Sequence, residues 1–113
     1  MNKNSKWIAL AAALGVMMFV STARADAVTE LWTQHCASCH GKDGKGETKA
    51  GKKANVKDLT DAKYQASLTD EKMFNQIKNG MKKDNKEIMK PFGDKIKDDQ
   101  IKELVAYVRK FKK

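Results

Sequence analysis

Residues 36–40 read Cys36-Ala37-Ser38-Cys39-His40 and hold the only two cysteines of a 113-residue chain. This cluster constrains the fold more than any other feature, because each chemistry open to it demands a different scaffold. A redox dithiol of this spacing usually opens a helix beside a strand, where the helix N-terminus lowers the first thiol's pKa. No run of four or more residues here shows strand alternation, and a helical pattern leads into the cysteines from the N-terminal side. Zinc needs four ligands in a closed structural site or three in a catalytic one. Cys36, Cys39 and His40 or His35 lie packed within six residues with no second cluster downstream. Donors so close together rarely span a tetrahedron.

Length and composition point to a third chemistry. Met1 to Lys6 carries two lysines, Trp7 to Val20 is an unbroken run of 14 apolar or glycine residues, and Ala23-Arg24-Ala25 ends in small residues. These are the n-region, h-region and cleavage site of a secretory signal peptide, and the apolar run falls short of the roughly 20 residues of a spanning helix. Cleavage after Ala25 places the expected leader at 1–25 and one domain at 26–113. Of those 88 residues only 30 are apolar, and a domain this small draws only about 3–5 kcal/mol from an ordinary core unless something staples it. Export permits a disulfide, but a Cys36–Cys39 bond would close too small a loop to constrain the unfolded chain. A large apolar cofactor held by the same cysteines would complete the core. Haem attachment uses all three residues: two thiols separated by two residues add to the two vinyl groups of one porphyrin, and the next imidazole serves as an axial ligand. Gly41, Gly44 and Gly46 then let the backbone turn away from the macrocycle.

Helical periodicity marks three segments. From Ala27 to about Cys36, Val28, Leu31 and Trp32 share one face, with Thr29, Glu30, Thr33 and Gln34 turned outward. After Thr69, a good N-cap followed by Asp70-Glu71, the residues Met73, Phe74 and Ile77 form a stripe that stops at Asn79-Gly80. After Asp98-Asp99, Ile101, Leu104, Val105, Val108 and Phe111 recur at helical spacing, with Arg109 and lysines near the C-terminal end. Between these lie two irregular stretches, Gly41 to Ala66 and Met81 to Lys97. Val56, Leu59 and Tyr64 offer inward contacts in the first, and a short extra helix fits between Lys57 and Gln65. The expected class is all-α with long loops.

Cys36 to Gly46, preceded by Leu31-Trp32 and followed by Met89-Lys90-Pro91-Phe92 and Leu104 to Arg109, resembles the small monohaem c-type cytochromes of bacteria across essentially all of 26–113. The resemblance implies the cytochrome c fold, three main helices and long loops wrapped around one covalently bound haem c. It also implies thioether anchors at Cys36 and Cys39, His40 as the proximal iron ligand, and single-electron transport in the periplasm in place of enzymatic turnover. In that family an aromatic residue four before the first cysteine crosses the C-terminal helix near an aromatic residue such as Tyr107, and Trp32 fits that place. Val28 stands where the family often has glycine, and Lys97 where the last helix commonly begins on Ser or Thr.

The sixth iron ligand separates an electron carrier from a haem-based gas or redox sensor, or a small peroxidase-like enzyme, with a dissociable distal methionine. Beyond residue 25 the candidates are His35, Met73, Met81 and Met89. His35 shares a short segment with His40 and cannot reach the opposite porphyrin face, and Met73 sits on an apolar stripe where methionine usually fills core. Met81 follows a helix stop and is flanked by lysines. Met89 stands in irregular chain with Pro91 two positions on and matches the family's ligand loop, with a lysine interposed before the proline. Met89 is the leading candidate and Met81 the second. His/Met ligation favours ferrous iron and raises the potential relative to two imidazoles.

Removing Lys3, Lys6 and Arg24 from the 23 basic residues leaves 20 against 14 acidic ones, a net charge of +6. Without aromatic–basic alternation in an exported chain, nucleic acid is not the expected partner. Lys42, Lys45, Lys49, Lys52 and Lys53, with the lysines between 82 and 90, are placed to steer docking onto acidic faces of redox proteins. Membrane contact is expected only through membrane-bound partners, and the carrier is expected to be a monomer.

Overall fold

The computed structural model describes residues 23–113, so residues 1–22 of the expected leader lie outside the described residues. Among the described residues no helix is long and apolar enough to cross a membrane. The order is α1 (23–35), α2 (Ala37–His40), α3 (Lys49–Ala54), α4 (Ala62–Ala66), α5 (Asp70–Asn79), β1 (Met81–Lys83), β2 (Lys86–Met89) and α6 (Asp98–Arg109).

The three expected helices form, α1 being helical already upstream of Ala27 and α6 ending at Arg109, short of Phe111. On α1, Trp32 is buried and Val28 and Leu31 pack against the core, while Thr29, Glu30, Thr33 and Gln34 face water. Val28 is thus accommodated at the core margin. Thr69 caps α5 by accepting the Lys72 N–H at 3.0 Å, and Gly80 ends that helix at φ 76°. Lys97 does begin α6, and its missing side-chain cap is supplied from the other direction: the Gln100 side-chain oxygen accepts the Lys97 N–H at 3.0 Å. Asp98 also pairs with Lys78 of α5 at 3.1 Å. Ile101, Leu104, Val105 and Val108 of α6 are buried against Met73, Trp32, Leu59, Leu68 and Ile96. Each such side chain, fully buried, contributes about 1.5–3 kcal/mol of transfer free energy.

Arg109 does more than complement the α6 dipole. Its Nη1 donates to the Gln65 carbonyl at 2.7 Å, its Nη2 to the Leu68 carbonyl at 2.6 Å and its Nε to the Asp70 carboxylate at 2.9 Å. The rigid guanidinium fork satisfies carbonyls at the end of α4 and the carboxylate that opens α5. Beside it, buried Gln65 donates its amide to the carbonyls of Leu59 and Val108 at 2.6 and 2.8 Å. The end of the loop from Gly41 is thereby bonded to α6, and it includes the short helix expected between Lys57 and Gln65, found here as α4.

Three features depart from the expected architecture, the first being that Ala37–His40 of the cysteine turn is itself the short helix α2. Helix α3 occupies part of the first irregular stretch, and the second contains an antiparallel hairpin of β1 and β2, so the class is mostly helical with a two-stranded sheet. Asp84 and Asn85 both take positive φ, 52° and 64°, which is the demand of a two-residue hairpin turn. Residues 82–88 are all exposed. No face of these short strands needs an apolar period, and alternation therefore does not mark them.

Candidate functional site

The C-terminal end of α1 delivers its chain directly into the cysteine turn. Cys36 takes the N-cap place of α2, and the His40 N–H bonds the Cys36 carbonyl at 2.9 Å, so both thiols and the imidazole are carried on one turn. Cys36 is buried and belongs to the hydrophobic core, while Cys39 and His40 are half-buried. Burial, with Cys39 as a second and smaller cause, pushes the Cys36 thiol up to about 12. This burial in the core differs from the exposed, electropositive setting of a redox dithiol. Among the described residues no three His, Cys, Asp or Glu side chains converge as metal donors would, and the zinc reading loses its geometry.

His40 is held from the side by Trp32. The two ring centroids are 5.8 Å apart, and the indole N–H donates to the Gly41 carbonyl at 3.0 Å, pinning the residue next to the imidazole. Trp32 in turn packs against Tyr107 at 5.5 Å and Phe111 at 5.1 Å, so α1 crosses the C-terminal helix through the aromatic pair expected of it. Burial lowers the His40 pKa, making neutral imidazole, the form with a free lone pair, the species at neutral pH. Its Nδ1 is buried without a hydrogen-bond partner. Such an orphaned atom costs about 1–3 kcal/mol and marks a side chain retained for a purpose other than stability.

The loop that follows is folded back beneath the turn. Gly41, Gly44 and Gly46 all take positive φ, the Gly46 N–H bonds the His40 carbonyl at 2.8 Å, and the Leu59 N–H bonds the Gly44 carbonyl at 2.8 Å. Two further residues escape a reading of the motif alone. The Thr48 hydroxyl shares its proton between the Ser38 carbonyl at 2.7 Å and the Cys39 carbonyl at 3.0 Å, and accepts the Gly51 N–H at 2.9 Å as the cap of α3. Gly51 lies so close to α2 that a β-carbon there would collide with the Cys39 carbonyl and stand 2.7 Å from the Gly46 carbonyl. A threonine ahead of a Lys/Ala-rich run is a legible helix start, but the carbonyls it bonds, nine and ten residues upstream, leave no local trace.

The methionines separate sharply. Met73 is 5% exposed inside the core, as its stripe indicates. Met81 and Met89 are cross-strand partners at the open end of the hairpin and are both half-buried. The link from this hairpin to the cysteine turn is Phe92, whose ring meets the edge of His35 at 5.8 Å, 65° between planes. His35, half-buried, is therefore a packing partner for the loop after Met89. The Phe92 N–H also bonds the Ile77 carbonyl at 3.0 Å, holding that loop against α5. Two surface grooves lie elsewhere, one along α5 between Thr69 and Gly80 and one between α5 and α6 beside Phe74 and Ala106, and neither touches the cysteine turn.

The donor set suits haem. It offers a neutral imidazole beside two thiols at attachment spacing, with soft thioethers on a separate element, and a loop that turns away on glycines. Residues 23–108 match the family model described as cytochrome c oxidase, cbb3-type, subunit III. Among solved structures, the fold is similar to that of the KustC0563 c-type cytochrome, with a TM-score of 0.68 and 39% sequence identity over 75% of this chain and 96% of that one. A tyrosine-to-phenylalanine variant of Kustc0563 is similar at a TM-score of 0.66 and 38% identity, over 75% of this chain and 98% of that one. No curated protein matches the chain. The family match runs from α1 nearly to the end of α6 and takes in the cysteine turn, the glycine loop and the hairpin: the chain belongs to the c-type cytochromes, haem-based electron carriers with the cytochrome c-like fold.

Proposed function

We propose that this chain is a periplasmic single-electron shuttle. It carries one haem c bonded through thioethers to Cys36 and Cys39, with His40 proximal and Met89 distal. The observation that carries the reading is the cysteine–histidine turn itself, which sets two thiols beside a neutral imidazole braced by Trp32. Haem supplies a one-electron iron couple when bound. The residues supply the rest. Trp32 and the Gly41 carbonyl limit rotation of the turn that bears His40, and the Phe92–His35 contact keeps the methionine loop against the same end of α1. A thioether and a neutral imidazole carry no charge and need exchange no proton, so an iron held by His40 and Met89 would change oxidation state with little reorganisation of the protein around it. The signal-peptide pattern read in the sequence of residues 1–25 is what supports export.

Exported from a cell equipped for haem maturation, the protein is expected to carry the mass of one haem that survives acid–acetone extraction. It should titrate as one reversible one-electron couple and, when reduced, bind no carbon monoxide at neutral pH. Ready binding of carbon monoxide by the native protein would transfer it to the gas-sensor or peroxidase-like class.

The partners we propose are redox proteins with acidic faces, met by a monomer. Lys42, Lys49, Lys52 and Lys53 are exposed around α3, as are Lys82, Lys83, Lys86 and Lys90 on and beside the hairpin. Steering by such charges accelerates encounter by about 10–1,000-fold and is screened within roughly 10 Å at 0.1 M salt. The bimolecular rate with a physiological partner is expected to fall at least about tenfold between low and high ionic strength. A rate independent of salt in stopped-flow measurements removes the acidic-face assignment.

A further inference from the structure

The hairpin brings together two residues that lie eight positions apart. Met81 and Met89 are paired across β1 and β2 at the open end of the hairpin, and residues opposite one another in an antiparallel ladder are side-chain neighbours. They are also the only half-buried residues of the hairpin, every one from 82 to 88 being exposed. The two thioethers are thus the least exposed side chains of the hairpin, both at its open end. The register slips between Met81 and Lys82, leaving Ile88, 40% exposed, as the extra residue of a bulge on β2. Bulges of this kind re-aim neighbouring side chains and cluster beside functional sites.

The backbone around the pair is closely set. Gly80 has φ 76°, and a β-carbon there would stand 2.5 Å from the Met89 carbonyl oxygen and 2.9 Å from the Pro91 nitrogen. Entry to β1 and exit from β2 therefore lie against one another, and the two methionines share one anchorage. Met73, buried in the core, is no rival to them. A thioether has no charge and no proton to lose, so one can replace the other without a change in the charge or protonation of the site.

We propose that Met81 is a second, reserve distal ligand, able to take the sixth coordination position when Met89 leaves it. The inference rests on the haem reading above and on Met89 as the resident donor. In the exchange one sulfur–iron bond breaks and an equivalent one forms, with no electron or proton transferred.

The test uses the exported holoprotein in four forms beside the native one: Met89→Leu, Met89→Ala, Met81→Leu and the double leucine variant. Leucine preserves volume, and alanine covers the case in which leucine is not tolerated. The readouts are the sulfur–iron charge-transfer band of the oxidised protein, the ring-current-shifted S-methyl NMR signal of the reduced protein, and carbon monoxide binding. Met81→Leu is expected to leave all three unchanged. Met89→Leu or Met89→Ala is expected to lose the native S-methyl signal, show a new one, and keep a displaced charge-transfer band. The double variant is expected to lose band and signal and to bind carbon monoxide freely.

A single Met89 variant as bare of the band as the double variant overturns the proposal and leaves Met89 as distal ligand. So does a low-spin form without the band, as a lysine nitrogen would give. A native signal that survives in the double variant instead overturns methionine ligation from this hairpin altogether. Loss of the native signal in Met81→Leu overturns the proposed order of the two residues.

Discussion

Serine at both Cys36 and Cys39 is expected to abolish haem retention through acid–acetone extraction completely, and to leave a chain well short of native helicity. The second effect follows from the core. Its buried hydrophobic residues are Trp32, Cys36, Leu59, Leu68, Met73, Ile96, Ile101, Leu104, Val105 and Val108, and one of the ten is Cys36, a proposed attachment residue. A core of that size in a domain this small supplies about 3–5 kcal/mol. Serine at 36 places a hydroxyl within the core, and desolvating an unpaired hydroxyl costs about 1–3 kcal/mol on its own. The double variant thus loses the covalent cofactor and a substantial part of the remaining stability. Far-ultraviolet circular dichroism and mass spectrometry of the exported product check it, with Lys52→Ala, an exposed position on α3, as a neutral comparison. Native helicity in a colourless double variant would show that the polypeptide core suffices, and would remove the argument that haem completes it.

Alanine at Gly51 is expected to destabilise the protein by about 1–3 kcal/mol, the usual cost of forcing atoms into a packed interior, or about 4–8 °C in Tm for each kcal/mol. Helix propensity predicts the opposite sign, since alanine replaces glycine inside a helix and should gain about 1 kcal/mol. The geometry decides. A methyl group here runs into the backbone carbonyls of Cys39 and Gly46, which cannot rotate aside as a flexible side chain would. It also pushes at the Thr48 oxygen, 3.0 Å from the new carbon, which accepts the Gly51 N–H and bonds the end of α2. Relief requires α3 to move off the turn that carries Cys39 and His40, so a change in the haem absorption bands should accompany the fall in Tm. A Tm at or above that of the native protein would mean that the two helices are free to separate.

Much of the site was legible locally. The Cys36–His40 turn is contiguous chain, the stripes of α1, α5 and α6 repeat every three or four residues, and Thr69 and Gly80 bracket α5 with their own chemistry. Trp32 against Tyr107 was also accessible, through the resemblance of both segments to one family. The hairpin was not. Its exposed residues bear no apolar period, and Asp84-Asn85 is a weaker turn signal than a pair containing glycine. That Lys97 would be served by Gln100, and that Arg109 would join the end of α4 to the start of α5, depended on which groups lay within reach after folding.

Taken alone, the amino-acid order determined where two thiols and an imidazole come together and which helices surround them, because spacing, periodicity and capping act over one or two turns of chain. Only the tertiary structure decided that Thr48 and Gly51 brace the turn, and that Met81 and Met89 arrive side by side. Those facts are distances between segments separated by eight to twelve residues of irregular or exposed chain, and such distances are set by packing and hydrogen bonding across the fold, which no local pattern encodes.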